Sequence, residues 1–159
     1  MRRYASGDAG AVADVFFRSV REAALADYSA EQVHAWAPER RDPDWFDRRA
    51  RDGRVFLVAV NLADEIVGYA DLESNGHIDH MFCRPDVVGH GVASRLYDTL
   101  ERHARSAGIN RLFVEASESA RRLFARKGFA LLRRQDLVVQ GVDIHNYVME
   151  KLIGAAPGP

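Results

Sequence analysis

The stretch Arg84-Pro85-Asp86-Val87-Val88-Gly89-His90-Gly91-Val92-Ala93-Ser94-Arg95-Leu96 joins a predicted strand to a predicted amphipathic helix through a turn that carries two glycines. Neither glycine has a side chain to hold a ligand away from the backbone, and both reach the positive-φ conformations that tight turns require. The helix opening at Val92 adds unpaired N–H groups and the positive end of its dipole. An anion is therefore expected here, cradled by the amides of Val88, Gly89, His90, Gly91, Val92, Ala93 and Ser94. The spacing is not Gly-x-Gly-x-x-Gly and lacks the acidic residue of a dinucleotide ribose site, which argues against a Rossmann site. No Gly-Lys-Ser/Thr follows, so it is not a Walker loop.

Working outward, His77 to Cys83 reads as the strand feeding the turn, and the helix from Val92 runs to Ala107, stopped by Gly108. Arg111 to Ala116 reads as the next strand, after which Ser117 caps a helix that ends at Gly128. A last hairpin runs Phe129 to Val139, turns at Gln140-Gly141, and returns as Val142 to Leu152. Upstream, Arg54 to Val60 and Ile66 to Leu72 pair across Asn61 to Glu65. Val12, Val15, Phe16, Ser19, Val20 and Ala23 recur at helical spacing, predicting a helix from Asp8 to about Ala26 after a short strand at Arg2 to Ala5. Ser29-Ala30-Glu31-Gln32 is a capping box for a short helix, and Asp42-Pro43 starts another. The fold class is α/β, with a mixed, mostly antiparallel sheet flanked by helices. One domain is expected over 1–153, with a flexible tail over 154–159.

The order Val88, Gly89, His90, Gly91, Val92, Ala93, with Leu112 to Ala120 and Leu123 to Phe129 downstream, resembles the GNAT superfamily of acyl-CoA-dependent N-acetyltransferases. The likeness spans nearly the whole chain and is nearest to a poorly characterised bacterial subgroup. It departs from the family pattern at Val88, where a Gln or Arg is usual, and at Phe124, where many members carry a Tyr that protonates the departing thiolate. The resemblance implies acetyl-CoA as co-substrate, with its pyrophosphate on the glycine turn and its pantetheine arm beside Met81, Phe82 and Cys83. It also implies that this strand splays from the one at Arg111 to Ala116, that a Met81 or Phe82 N–H serves as oxyanion donor, and that Ser117 and Phe124 lie near the carrier. The acceptor it implies is a primary amine of a small molecule or peptide.

The amine must lose a proton during transfer, so the splayed strands are searched for a base. His77, Asp79, His80 and Glu115 qualify, and strand alternation puts His77 and Asp79 on one face and His80 on the other. His80 ranks first as a neutral-pH base, with Asp79 and Glu115 to tune or replace it. With Phe124 in place of the usual Tyr, either another hydroxyl supplies the thiolate's proton, with Tyr147 ahead of Tyr97 and Ser117 also a candidate, or the thiolate leaves without protonation by the protein. Cys83 lacks an activating neighbour in the sequence and is expected to be inert.

Composition bounds the remaining readings. The chain has 159 residues, a formal net charge of −1 and a single cysteine, which excludes an internal disulfide framework and a cysteine-based zinc site. No metal is expected. Near-neutral charge offers no field for nucleic acid or an anionic membrane, and no apolar run is long enough to span a bilayer. A soluble, cytoplasmic protein is expected, and a homodimer is compatible with all of this. Two rival readings remain: a nonenzymatic acyl-CoA-binding module, and a nucleic-acid binder using Arg121-Arg122, Arg126-Lys127 and Arg133-Arg134.

Overall fold

A computed structural model describes residues 1–154. The expected tail therefore lies, except for Gly154, outside the described residues. Seven strands and five α-helices follow in the order β1 (Arg2–Arg3), α1 (Ala9–Arg21), α2 (Ala30–Trp36), α3 (Pro43–Ala50), β2 (Val55–Val60), β3 (Ile66–Leu72), β4 (Met81–Cys83), α4 (Val92–Ser106), β5 (Arg111–Ala116), α5 (Glu118–Arg126), β6 (Ala130–Val139) and β7 (Val142–Leu152). The strands form two antiparallel sheets, ordered β1-β2-β3-β4 and β5-β7-β6.

β2 is apolar along both faces and β3 is so except at Asp71, and the sheet they centre is buried on both sides. Phe56, Val58 and Tyr69 pack with Val12, Phe16 and Phe46 of α1 and α3. Leu57, Ala59 and Leu72 pack with Leu96, Tyr97 and Leu100 of α4 on the opposite face. Both capping predictions hold: Ser29 accepts from the Gln32 N–H, and Asp42 accepts from the Asp44 N–H ahead of Pro43. The predicted first helix is shorter than expected, ending at Arg21 and continuing only as a 3₁₀ turn over Ala23–Ala26.

The strand predicted over His77 to Cys83 forms only at Met81–Cys83. Asp71 is the cause. Its buried carboxylate accepts from the N–H groups of His80 (3.0 Å) and Asp79 (3.3 Å). The ladder to β3 then skips a residue, with the Asp71 N–H on the His80 carbonyl and the Glu73 N–H on the His77 carbonyl. Three steps on one chain face two on the other, which is a β-bulge. Strict alternation fails across it.

The segment leading into β4 meets β5 through one parallel bridge, His77 opposite Phe113. Its bonds run from the Ile78 N–H to the Phe113 carbonyl (3.0 Å) and from the Phe113 N–H to the Gly76 carbonyl (3.1 Å). Beyond it β4 stays with β3 while β5 pairs with β7, so the two strands diverge as expected. Gly76 is required at this seam, because a Cβ there would sit 1.9 Å from the Arg111 carbonyl oxygen and its φ is +95°.

Candidate active site

The divergence opens a cleft of about 440 Å³. Met81, Phe82 and Cys83 form one wall, Ser117, Ala120 and Leu123 the other, and the glycine turn closes one end. Gly89 (φ 82°) and Gly91 (φ 81°) are both left-handed, and a Cβ added at either meets nothing within 4 Å. Their surroundings are open, so the constraint is backbone conformation facing a free space. The Val88 and His90 N–H groups bond back to Pro85 and Val87. Fewer amides are therefore free for an anion than expected: those of Gly89, Gly91 and the first turn of α4. The first bond closing that turn comes from the Arg95 N–H to the Gly91 carbonyl (3.1 Å), which leaves the amides of Val92, Ala93 and Ser94 without intrahelical partners.

Of the residues expected to hold the carrier, Met81, Phe82, Cys83, Val88, Gly89, Gly91, Val92, Ala93, Ser94 and Ser117 line this cleft. His90 is exposed and does not. Phe124 is a correction. It is 2% exposed and packs beneath the wall against Tyr97 and Phe129, while its neighbour Leu123 faces the cleft.

A second cavity of about 250 Å³ adjoins the first, and Trp36, Phe82 and Ser117 line both. Asp79, His80 and Glu115 face it together. The expected separation of Asp79 from His80 fails because the bulge turns both toward the cavity. Asp79 is held by Arg49 at 2.6 Å; burial raises its pKa, but that bond and nearby charges carry it below its ordinary value.

His77 lies outside the cavity, clamped between Glu115 (Nε2 to Oε2, 2.5 Å) and Glu73 (Nδ1 to Oε1, 3.1 Å). The bond to Glu115 raises its pKa to about 9, so it is an imidazolium that donates from both nitrogens at neutral pH. Glu115 is correspondingly held below the ordinary carboxylate range by His77.

His80 sits in a ring of aromatics, stacked on Phe16 with its Nδ1 2.9 Å from the Tyr69 hydroxyl. Burial lowers its pKa to about 4. Burial also holds Tyr69 far above its usual pKa, so the phenol keeps its proton, and His80 is its one hydrogen-bond partner among the described residues. The Tyr69 hydroxyl is therefore assigned as donor to Nδ1, and the single proton of neutral His80 as carried on Nε2. That nitrogen is a donor, not an acceptor.

Tyr147 is buried, and its hydroxyl donates to Glu118 at 2.6 Å, a bond that raises its pKa. It lines neither cavity. Tyr97 is likewise committed, bonded to Glu101 on the far face of α4. Cys83 does face the cleft, but burial pushes its thiol up to about 12. Among the described residues no group of three or more His, Cys, Asp or Glu could hold a metal ion.

The sequence reading passed over Arg41, Glu118 and His145. His145 lines the second cavity and bonds through Nε2 to Glu118 at 2.7 Å. Only the alternation of β7, which brings His145 opposite the start of α5, hinted at it.

The GNAT acetyltransferase domain model matches residues 24–151. The chain is similar to an uncharacterized N-acetyltransferase, YafP, of Escherichia coli, at 29% identity over 149 residues, 94% of this chain and 93% of the relative. Its structure is similar to a GCN5-related N-acetyltransferase of Rhodopseudomonas palustris, with a TM-score of 0.86, 35% identity, and 96% and 94% of the two chains covered. It shares its fold with the PaiA N-acetyltransferase of Thermoplasma acidophilum in complex with coenzyme A, at a TM-score of 0.76 and 15% identity, covering 96% and 97%. With its splayed strands and glycine turn in that fold, the chain belongs to the GNAT family and is an acetyl-CoA-dependent N-acetyltransferase.

Proposed function

We propose that the chain transfers the acetyl group directly to a primary amine of a small molecule or peptide, both substrates being bound together. The observation that carries this is the junction of the two cavities at Trp36, Phe82 and Ser117. The carrier cleft runs up to it from the glycine turn, and the cavity with the titratable groups begins there. A thioester at the junction faces an amine in the second cavity without a covalent enzyme intermediate, and the raised pKa of Cys83 argues against one.

Met81 is the oxyanion donor in this reading. The bonds Asp71 N–H to His80 and Arg84 N–H to Val67 set the alternation of the β3–β4 ladder. By that alternation the N–H and C=O of Phe82 point to Tyr69, while those of Met81 and Cys83 point into the splay. The Met81 amide can therefore bond the tetrahedral oxyanion, and the Met81 and Cys83 groups can bond the pantetheine amides as an added strand would.

Glu115 replaces His80 as the proton acceptor. It faces the cavity as a carboxylate oriented by the His77 imidazolium. His80 instead presents an N–H to the acceptor. Ser117, at the junction, is the hydroxyl nearest in position to the leaving thiolate, whose ordinary pKa of about 8.5 also allows unassisted departure.

Four of the six basic side chains in that cluster are paired locally: Arg121 with Glu118, Arg122 with Asp27, Lys127 with Asp98 and Arg134 with Asp136. This supports a small acceptor over nucleic acid. Among the described residues no helix is long and apolar enough to cross a membrane; a cytoplasmic location and a homodimer remain part of the proposal.

The test is acetyl-CoA-dependent thiol release over a panel of amines. Intersecting initial-velocity patterns are expected, with Glu115→Gln lowering kcat by roughly 10² to 10⁴ while CoA affinity holds within a few-fold. Parallel patterns would exclude the direct route. Full activity in Glu115→Gln would remove its role.

A further inference from the structure

Arg41 is the unexplained charge of the second cavity. Its guanidinium lies over the rings of Trp45 (4.3 Å to the centroid) and Phe16 (5.3 Å), and it lines the cavity beside His80. Its Nε is buried with no hydrogen-bond partner, and among the described residues Arg41 makes no ion pair. Its neighbours are arranged otherwise. Arg40 pairs with Asp14, Arg49 with Asp71 and Asp79, and Arg54 with Asp52 and Asp71. The two cavity carboxylates are also taken, Asp79 by Arg49 and Glu115 by His77.

Arg41 is half-buried, and burying its Nε with no partner carries a cost that stacking on aromatic faces offsets only in part. A planar guanidinium fixed by two rings, with its donors unspent, is built to take a carboxylate. The same cavity offers the Glu115 carboxylate to an ammonium, and Trp36, Leu137 and Ile144 give it apolar surface.

We propose that the acceptor is a free amino acid with an apolar side chain, its carboxylate seated on Arg41 and its amine directed to Glu115. This rests on the acyl-transfer reading above and narrows its acceptor class. Amines without an acid group leave Arg41 uncompensated and are poor substrates. A peptide's N-terminal amine, with its carboxylate converted to an amide, fails for the same reason.

The experiment compares L-leucine with isoamylamine and L-phenylalanine with phenethylamine, reading thiol release and, separately, the melting temperature of the CoA-bound protein with each compound added. The wild type is expected to prefer the amino acid by about 30-fold or more in kcat/KM, the range associated with losing one partner of a buried charge pair. In Arg41→Gln the ratio should fall to within a few-fold, mainly through KM. Arg41→Lys, which keeps the charge and loses the fork, should recover part of it.

Equal use of amino acid and amine by the wild type overturns the proposal, as does an Arg41→Gln variant that lowers both alike. If no compound of the panel is acetylated and neither amino acid shifts the melt, the amino-acid assignment is again overturned. Stabilisation by CoA in that same experiment would leave the acetyl-transfer reading standing, so the two failures are told apart.

Discussion

The His77–Glu115 pair should make folding stability fall as pH rises from 6.5 to 9, and His77→Gln should abolish that fall. His77 carries a folded pKa of about 9 against an ordinary 6.5. Because the folded value is the higher one, the contribution is complete below pH 6.5 and is lost as pH climbs through about 9. Glu115 is shifted the other way, so its own contribution is fully present across this window and adds no slope. Each pKa unit corresponds to about 1.36 kcal/mol. The Glu115 side chain is 40% exposed, however, and solvent screens the pair, which brings the expected loss to about 2 kcal/mol. For a chain of this size that is roughly 4–8 °C in Tm. Thermal melts of wild type and His77→Gln at pH 6.5, 7.5, 8.5 and 9 measure it, and the wild-type curve minus the variant curve isolates His77 from other groups titrating near the upper limit. A difference curve that is flat with pH would show that His77 is not held as an imidazolium, and the orientation of Glu115 would lose its physical basis.

Saturating CoA, at about 100 times its Kd, should stabilise the fold by ~2.7 kcal/mol, and Gly91→Asp should remove that shift by placing a carboxylate where the phosphates bind. The variant should still fold, since a Cβ at Gly91 meets nothing within 4 Å and only its φ of +81° is strained; normal CoA binding by the variant would move the phosphate site elsewhere. Cys83→Ala should keep kcat within a few-fold, and intact-mass spectra of wild type mixed with acetyl-CoA should show no added acetyl group, because the thiol titrates at about 12. An acetylated Cys83 on the turnover timescale would refute this.

What the sequence made legible was what local chemistry fixes. Gly89 and Gly91, followed by an amphipathic run, could scarcely be anything but a turn opening a helix, and Ser29, Asp42 and Ser117 announced helix starts that are present. The bounds of β7 fell where alternation placed them. The misreadings share a cause: each depends on a partner distant in the chain. The shortening of β4 is imposed by the Asp71 carboxylate from the neighbouring strand. His80 looked like a base because its type suggests one, and what bears against that role is its bond to Tyr69, a residue that pattern marks only as core. Phe124 and Leu123 are adjacent, and which of them faces the carrier is decided by how α5 rolls against β5 and β7. Arg41 carried no signal at all, since its meaning lies in the carboxylate it lacks.

Gly76 has a consequence that reaches beyond its own turn. With the sheets hinged at His77 and Phe113 and open by the time Ser117 is reached, β4 and β5 form a wedge whose angle is fixed at its closed end. The thickness of molecule admitted between them is thus gauged from a point that touches neither substrate. Any side chain at 76 would pry against the Arg111 carbonyl, and the displacement would be magnified along the strands toward the junction, where an ångström decides whether thioester and amine meet. A substitution at this glycine would therefore cost reach as well as folding.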